Sequence, residues 1–353
     1  MCNPSFSYLI FSGLLALSLL SPLRVDAASV NLFVSGTFTY PDTSVKGFDG
    51  VTGEPFPPDG TFASGGGLSF PRGLAFGPDG NLYVASEGTD NILKYDGTTG
   101  AYLSEFVAAG SGGFSQPKGL AFAPDGRLYV AGQDTSSSTA DVFRFDAVSG
   151  AFVDKVSDYW DLPSPFVFGI PYGVTTGPDG NVYFANESSS NVLRFNPATS
   201  SLSEFVSPAS MGAITPHYVT FGPDGNLYVG IYDVPGRVLR FNGTTGAFID
   251  TFVATGSGGL SRPEGLAFGP DGYLYVSSES GVLRYSGIDG HFIDTFASLP
   301  YPLPFGPGGL AFHGVPEPAT WIGATIGLAV VLMAGGRRRK RTLKKFNEAD
   351  RCE

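Results

Sequence analysis

Two sets of positions hold the side chains that could do chemistry in this chain. The first set directly follows a proline: Arg72, Lys118, Tyr172, His217, Glu264 and Gly308. The second comprises Glu87, Gln133, Glu187, Tyr232 and Glu279. Together they mix carboxylates, cations, phenols and an imidazole, the side chains that line a polar binding site. The same Glu87, Glu187, Glu264 and His217 could act as metal ligands or as an acid/base pair in an enzyme. Variable positions of this kind are also often no more than solvated loop ends, and that reading stays open.

Other chemistry is poorly supplied. The two cysteines, Cys2 and Cys352, lie at the extreme ends, so the body can form no disulfide and no thiolate metal site. It contains no Gly-x-Ser-x-Gly elbow, and its imidazoles are His217, His291 and His313, with no His-x-x-x-His spacing. His291 opens an outer strand and should be solvated, and His313 should be exposed just past the last strand. Asp79, Asp125, Asp179, Asp224 and Asp271 sit in Pro-Asp-Gly turns, where Asp is an ordinary turn former without the second ligand that calcium needs. No cofactor is expected, although the enzyme reading would call for a divalent metal.

These positions need a frame, and an internal repeat supplies it. The run Gly73-Leu-Ala-Phe-Gly-Pro-Asp-Gly-Asn-Leu-Tyr-Val84 returns at Gly119, Gly173 and Gly265, with a looser copy from Tyr218. Its Pro-Asp-Gly turns begin at 78, 124, 178, 223 and 270, so the spacings are 46, 54, 45 and 47. Periods of this size with several strands per unit mean propeller blades. Each unit reads as four strands: A (Gly-Leu-Ala-Phe), B (Asn-Leu-Tyr-Val), C (as in Ile92–Tyr95) and D (as in Ala101–Phe106). One basic residue per strand C, followed by a carboxylate on strand D, suggests cross-strand ion pairs of small energy. These run from Lys94, Arg144, Arg194, Arg240 and Arg284 to Glu105, Asp154, Glu204, Asp250 and Asp294.

Five units are complete and the ends supply a sixth. Pro307–Phe312 is an orphan strand A, Asn31–Ser35 an orphan strand B, and Val45–Gly53 matches strand C with its turn. Joining them closes an all-β, six-bladed propeller over residues 28–312 and removes the sheet edges of a linear array. Strands A and B are innermost and antiparallel, so the start of A and the end of B share one face around the central channel. Longer connections at Asp158–Phe168, including Trp160, and at Leu299–Phe305 open on that face and add aromatic surface for a carbohydrate or protein ligand.

Charge divides the chain. The net charge is −11, yet residues 28–315 hold 12 Lys or Arg against 27 Asp or Glu, while residues 337–353 hold 8 against 3. An acidic body is a poor partner for nucleic acid. Residues 1–27, with an apolar run from Leu9 to Leu20 and small residues before Ala28, read as a cleaved signal peptide. At the other end Pro316-Glu317-Pro318 precedes an apolar stretch, Trp321–Gly336, and the cluster Arg337-Arg338-Arg339-Lys340-Arg341. The stretch is short for a membrane-spanning helix, and the basic cluster marks a cytoplasmic stop.

The order Pro-Glu-Pro, apolar span, arginine cluster over residues 313–341 resembles the PEP-CTERM sorting signal of Gram-negative bacteria. That resemblance implies transient membrane anchoring, processing by an exosortase-type enzyme near Pro-Glu-Pro, and display at or release from the cell surface. The basic polar tail 342–353 departs from the pattern. Residues 31–312 resemble NHL-repeat propellers, which include binding scaffolds, lactonases, lyases and peptidase accessories. The expected function is an exported, surface-displayed binding module. A metal-dependent lactonase- or lyase-type enzyme and a structural matrix protein are the alternatives.

Overall fold

A computed structural model describes residues 30–36, 43–136, 139–159, 171–212, 214–298 and 308–313. They form six antiparallel sheets and almost no helix. Blade 1 runs from its inner to its outer strand as Pro71–Phe76, Leu82–Ser86, Asn91–Tyr95 and Tyr102–Val107. Blades 3, 4 and 5 repeat this order from Pro171, Pro216 and Gly265. Blade 6 closes the ring: the C-terminal strand Leu310–His313 pairs with Asn31–Ser35, followed by Ser44–Asp49 and Thr61–Ser64. Blade 2 departs from the simple four-strand plan. Its innermost strand is split into Phe114–Ser115 and Leu120–Ala123, both paired with Arg127–Asp134.

The core lies between blades rather than within them. Strand B of blades 1 to 5 carries a tyrosine that is almost wholly buried, Tyr83, Tyr129, Tyr183, Tyr228 and Tyr275, and blade 6 has Phe33 there. Tyr83 meets Phe106 of its own blade and Phe122 of the next edge-to-face, both at 4.8 Å. Tyr228 does the same with Phe252 at 4.9 Å and Phe268 at 4.8 Å, and Tyr275 reaches Phe312 across the seam at 4.9 Å. Such contacts add to the burial of the rings and staple neighbouring sheets. The buried phenol needs a partner, and the turn aspartate provides it. Tyr83 donates to Asp79 at 3.0 Å, Tyr129 to Asp125 at 2.8 Å and Tyr275 to Asp271 at 2.7 Å. The repeated Pro-Asp-Gly is therefore a turn and a hydrogen-bond anchor at once.

The expected cross-strand ion pairs form in three blades of five. Arg144–Asp154, Arg240–Asp250 and Arg284–Asp294 are paired. Lys94 instead meets Asp79 at 2.7 Å, and Glu105 accepts from Asn91 at 2.8 Å. Arg194 contacts Ser203, and Glu204 accepts from Asn191 at 3.0 Å. The cause is register. Asp154, Asp250 and Asp294 stand opposite the arginine, whereas Glu105 and Glu204 stand opposite Leu93 and Leu193. A shift of one residue turns a strand side chain to the other face. His291 is exposed as expected. His313 is not: it ends the closing strand, half-buried, with its ring 4.4 Å from Phe76.

Candidate functional site at the channel mouth

Local backbone geometry aims the first set of residues. In blades 1, 3 and 4 strand A begins at the proline, and the register against strand B slips just after it, between Pro71 and Leu74, Pro171 and Val174, and Pro216 and Tyr218. Arg72, Tyr172 and His217 thus occupy β-bulges, the device that re-aims a side chain at the rim of a closed sheet array. The glycine after them is dictated by crowding. The Gly73 amide donates to the Lys118 carbonyl, and the Gly119 amide to the Tyr172 carbonyl, each at 2.8 Å. A Cβ on Gly73 would lie 2.4 Å from the Lys118 carbonyl oxygen, and one on Gly119 2.3 Å from that of Tyr172. Inner strands of neighbouring blades therefore bond directly to each other around the channel.

The side chains form one connected sequence of contacts around the mouth. Arg72 pairs with Glu87 of its own blade and reaches Glu264 of blade 5 at 3.4 Å. Glu87 also pairs with Lys118 of blade 2. The Lys118 ammonium lies 5.5 Å from the centre of the Tyr172 ring, which stacks at 3.8 Å on His217. On its other side His217 stacks on Tyr232 at 4.4 Å, and the Arg262 guanidinium caps Tyr232 at 6.0 Å. Arg262 pairs in turn with Glu279. One half of the mouth is thus an ion-pair network from blades 5, 1 and 2. The other half is an aromatic stack from blades 3 and 4 with a cation at each end.

Electrostatics separates the groups in use from those that are open. Burial disfavours the Arg72 charge, yet Glu87 and Glu264 more than offset this and raise its pKa. Glu87 is also desolvated, and Arg72 and Lys118 still hold its carboxyl below the usual range. The His217 imidazole is 6% exposed, and its Nδ1 has no hydrogen-bond partner. Burial, then the charges of Arg72 and Lys118, push its pKa down to about 3, so the ring is neutral at pH 7. Glu187 has the opposite environment. Burial pushes its carboxyl up and Lys118 offsets this only in part. Its charge is also the largest electrostatic influence on Tyr172, whose phenol is pushed up to about 12, chiefly by burial. The Glu187 carboxylate and the hydroxyls of Tyr172, Tyr218 and Tyr232 make no hydrogen bond among the described residues.

The structure thus brings Arg72, Glu87, Lys118, Tyr172, Glu187, His217, Tyr232 and Glu264 together, with Glu279 joined at the margin through Arg262. Gln133 stays apart. Strand B of blade 2 continues to Asp134, so Gln133 is exposed in a ladder with Ala140 and Ser115, whereas Glu87 and Glu187 open short 3-10 turns. Trp160, the connection at 299–305, and the terminal segments with Pro316, Glu317, Pro318, Arg337, Arg338 and Arg339 lie outside the described residues. Two members were not picked out from the sequence. Arg262 precedes the proline of blade 5, and Tyr218 replaces the glycine of the other blades, a break in the repeat that marks it.

Glu87 and Glu264 are engaged by cations, and among the described residues no three His, Cys, Asp or Glu side chains group so as to hold a metal ion. No described helix is long and apolar enough to cross a membrane.

Known proteins bear on the fold. A family model described as strictosidine synthase-like, N-terminal, matches residues 251–284, from the outer strand of blade 4 to strand C of blade 5. No curated protein matches the chain in sequence. Among solved structures, the chain is similar to one in a nidogen/laminin complex, at 15% identity over 80% of this chain and 98% of that one, TM-score 0.61. It is similar to a Bacteroides caccae protein of unknown function at 14% identity over 82% and 100%, TM-score 0.58. A gluconolactonase from Xanthomonas campestris matches at 18% identity over 68% and 78%, TM-score 0.50. At these identities the likeness is one of fold: the chain is a six-bladed β-propeller.

Proposed function

We propose that this is an exported, surface-displayed propeller that acts as a binding module, taking a hydroxylated carbohydrate unit at the channel mouth. The observation that carries this reading is the division of the ring into satisfied and open groups. Arg72, Lys118 and Arg262 pair with Glu87, Glu264 and Glu279, and Lys118 and Arg262 cap the aromatic stack. What is left for a ligand is three phenol hydroxyls, which donate and accept, and the Glu187 carboxylate, which accepts. A polyol offers matching donors and acceptors in one small volume, whereas an anion would meet Glu187 and a cation would find the stack already capped.

Residues 1–27 direct export in this reading. Residues 313–341 anchor the chain in the membrane until an exosortase-type enzyme cuts near Pro316, leaving the acidic propeller displayed or released and without affinity for nucleic acid. Glycan-array binding by the purified chain, weakened at least about tenfold in Glu187→Gln with an unchanged melting temperature, is the expected result. Absence of carbohydrate binding would leave the matrix-protein alternative standing. Mass spectrometry of surface material should find the chain ending near Pro316, and an intact tail there would exclude the sorting step.

A second reading, a lactonase- or lyase-type enzyme, draws on the same perturbed groups: a neutral His217 and a Glu187 pushed toward its protonated form. Turnover of a sugar lactone that disappears in Glu187→Gln would favour it over simple binding.

A further inference from the structure

The first and last strands of the propeller meet in blade 6. Asn31, which opens strand B there, stands opposite His313, which ends strand A. The other end of this strand pair is the mouth side. There the Gly308 amide donates to the Ser35 carbonyl at 2.7 Å and the Gly309 amide to the Arg72 carbonyl at 3.0 Å. In blades 1 to 5 the Pro-Asp-Gly turn between strands A and B occupies the place of Asn31 and His313. The chain therefore enters and leaves the propeller on the face opposite the mouth, from the two innermost strands of the blade.

The turns between strands C and D share that lower face. In blade 6 the C–D turn lies against the chain entry: a Cβ on Gly50 would stand 1.8 Å from the Val30 carbonyl oxygen. Gly287 of blade 5 packs in the same way on Gly272 of its A–B turn. The tips of these two turns carry Val51 and Ile288, 78% and 88% exposed, and Val148 stands bare on the same turn of blade 2. Such tips ordinarily carry small polar turn formers. The A–B turns add an aspartate each to this face: Asp79, Asp125, Asp179, Asp224 and Asp271.

Reach decides which face can meet a membrane. Eight residue steps separate His313 from Trp321, the start of the apolar stretch, and fully extended they span at most about 28 Å. To carry the mouth to the bilayer, the chain would first run outward across three strand spacings, about 14 Å, and then about 20 Å up the side of the blade. That path is longer than the reach.

We infer that the face opposite the mouth is the membrane-facing surface of the anchored chain, and that it holds the mouth toward the medium. This rests on the anchoring reading above. The partner is a lipid surface. Val51, Val148 and Ile288 meet it, while the turn aspartates oppose anionic headgroups. The tail thus supplies the attachment and the face the orientation, so cutting near Pro316 frees the propeller.

The test uses the chain from Ala28 to Glu353 with Cys352→Ser, mixed with phosphatidylcholine and phosphatidylglycerol vesicles that carry an energy-transfer acceptor on their headgroups. A donor dye is attached at Ile288→Cys on the lower face or at Gln133→Cys on the mouth side, both exposed positions. The labels differ in height by about the length of a strand, so transfer from position 288 should exceed that from 133 severalfold. Equal transfer, or more from 133, overturns the orientation while the anchor stands. Failure of the chain to float with the vesicles overturns the anchoring reading itself. The same chain ended at Val315 should stay behind in that flotation. If it floats, the face supplies the attachment and the division between face and tail is overturned.

Discussion

Arg72 and Glu264 belong to blades 1 and 5, yet their side chains meet at 3.4 Å because blade 6 presents only Gly308 between them. This contact joins two non-adjacent blades across the ring's own seam, and it leaves Glu264 3% exposed beside a guanidinium. Removing one partner of a buried pair leaves the other charge less compensated in a poorly solvated place. Arg72→Ala should cost about 3 kcal/mol in urea unfolding, well above the ~0–1 kcal/mol of an exposed pair. A cost near zero would show that the bridge is solvated and not structural.

The seam makes a sharper demand on chain length. Leu310 pairs with Val34 and Phe312 with Leu32, and Phe312 packs on Tyr275. A chain ended at Val315 keeps that strand and should melt as the full chain does. One ended at Pro307 leaves Asn31–Ser35 as an exposed inner edge and should lose cooperative melting or aggregate. Scanning calorimetry of the two truncations separates these outcomes.

Asp141 offers a pH test away from the channel. It is 2% exposed in blade 2 and accepts from the Val142 amide at 2.7 Å and from Ser157. Burial dominates over these bonds and pushes its carboxyl up to about 6. The folded state therefore holds a proton that the unfolded state releases near the ordinary carboxylate range. Stability is lost as pH rises between the two values, by at most about 2–3 kcal/mol above pH 6. Asp141→Asn should be more stable than wild type at pH 8 and lose that advantage at pH 4. A constant difference across that range would reject the assignment.

His217 should not titrate in the physiological range. With its pKa pushed down to about 3, its ring resonances should stay flat from pH 8 to pH 5 in an NMR titration. The sign for stability is opposite to that of Asp141: the unfolded chain binds a proton below about pH 6.5 that the folded chain refuses, so acid destabilises the fold. Replacing Lys118 by Met removes one of the charges that depress His217 and should move its pKa upward. A His217 titration near pH 6 in wild type would contradict the buried, cation-flanked stack.

The chain's own repetition made its architecture legible. Five Pro-Asp-Gly turns and the orphan strands at either end specify six blades and their seam, because alternation and turn chemistry act locally and recur in each unit. Internal alignment also picked out Arg72, Glu87, Lys118, Tyr172, Glu187, His217, Tyr232 and Glu264, positions that vary inside a fixed frame. It could not say which of them neutralise one another, since those contacts join residues from different blades and depend on bulges and on the narrowness of the ring. One-residue offsets, such as Glu105 and Glu204 facing away from the strand C cation, need the actual register. Tertiary structure alone decided that the ion pairs fill one half of the mouth and a neutral His217 stack the other, because Coulomb and stacking energies depend on distances through space, which spacing along the chain does not set.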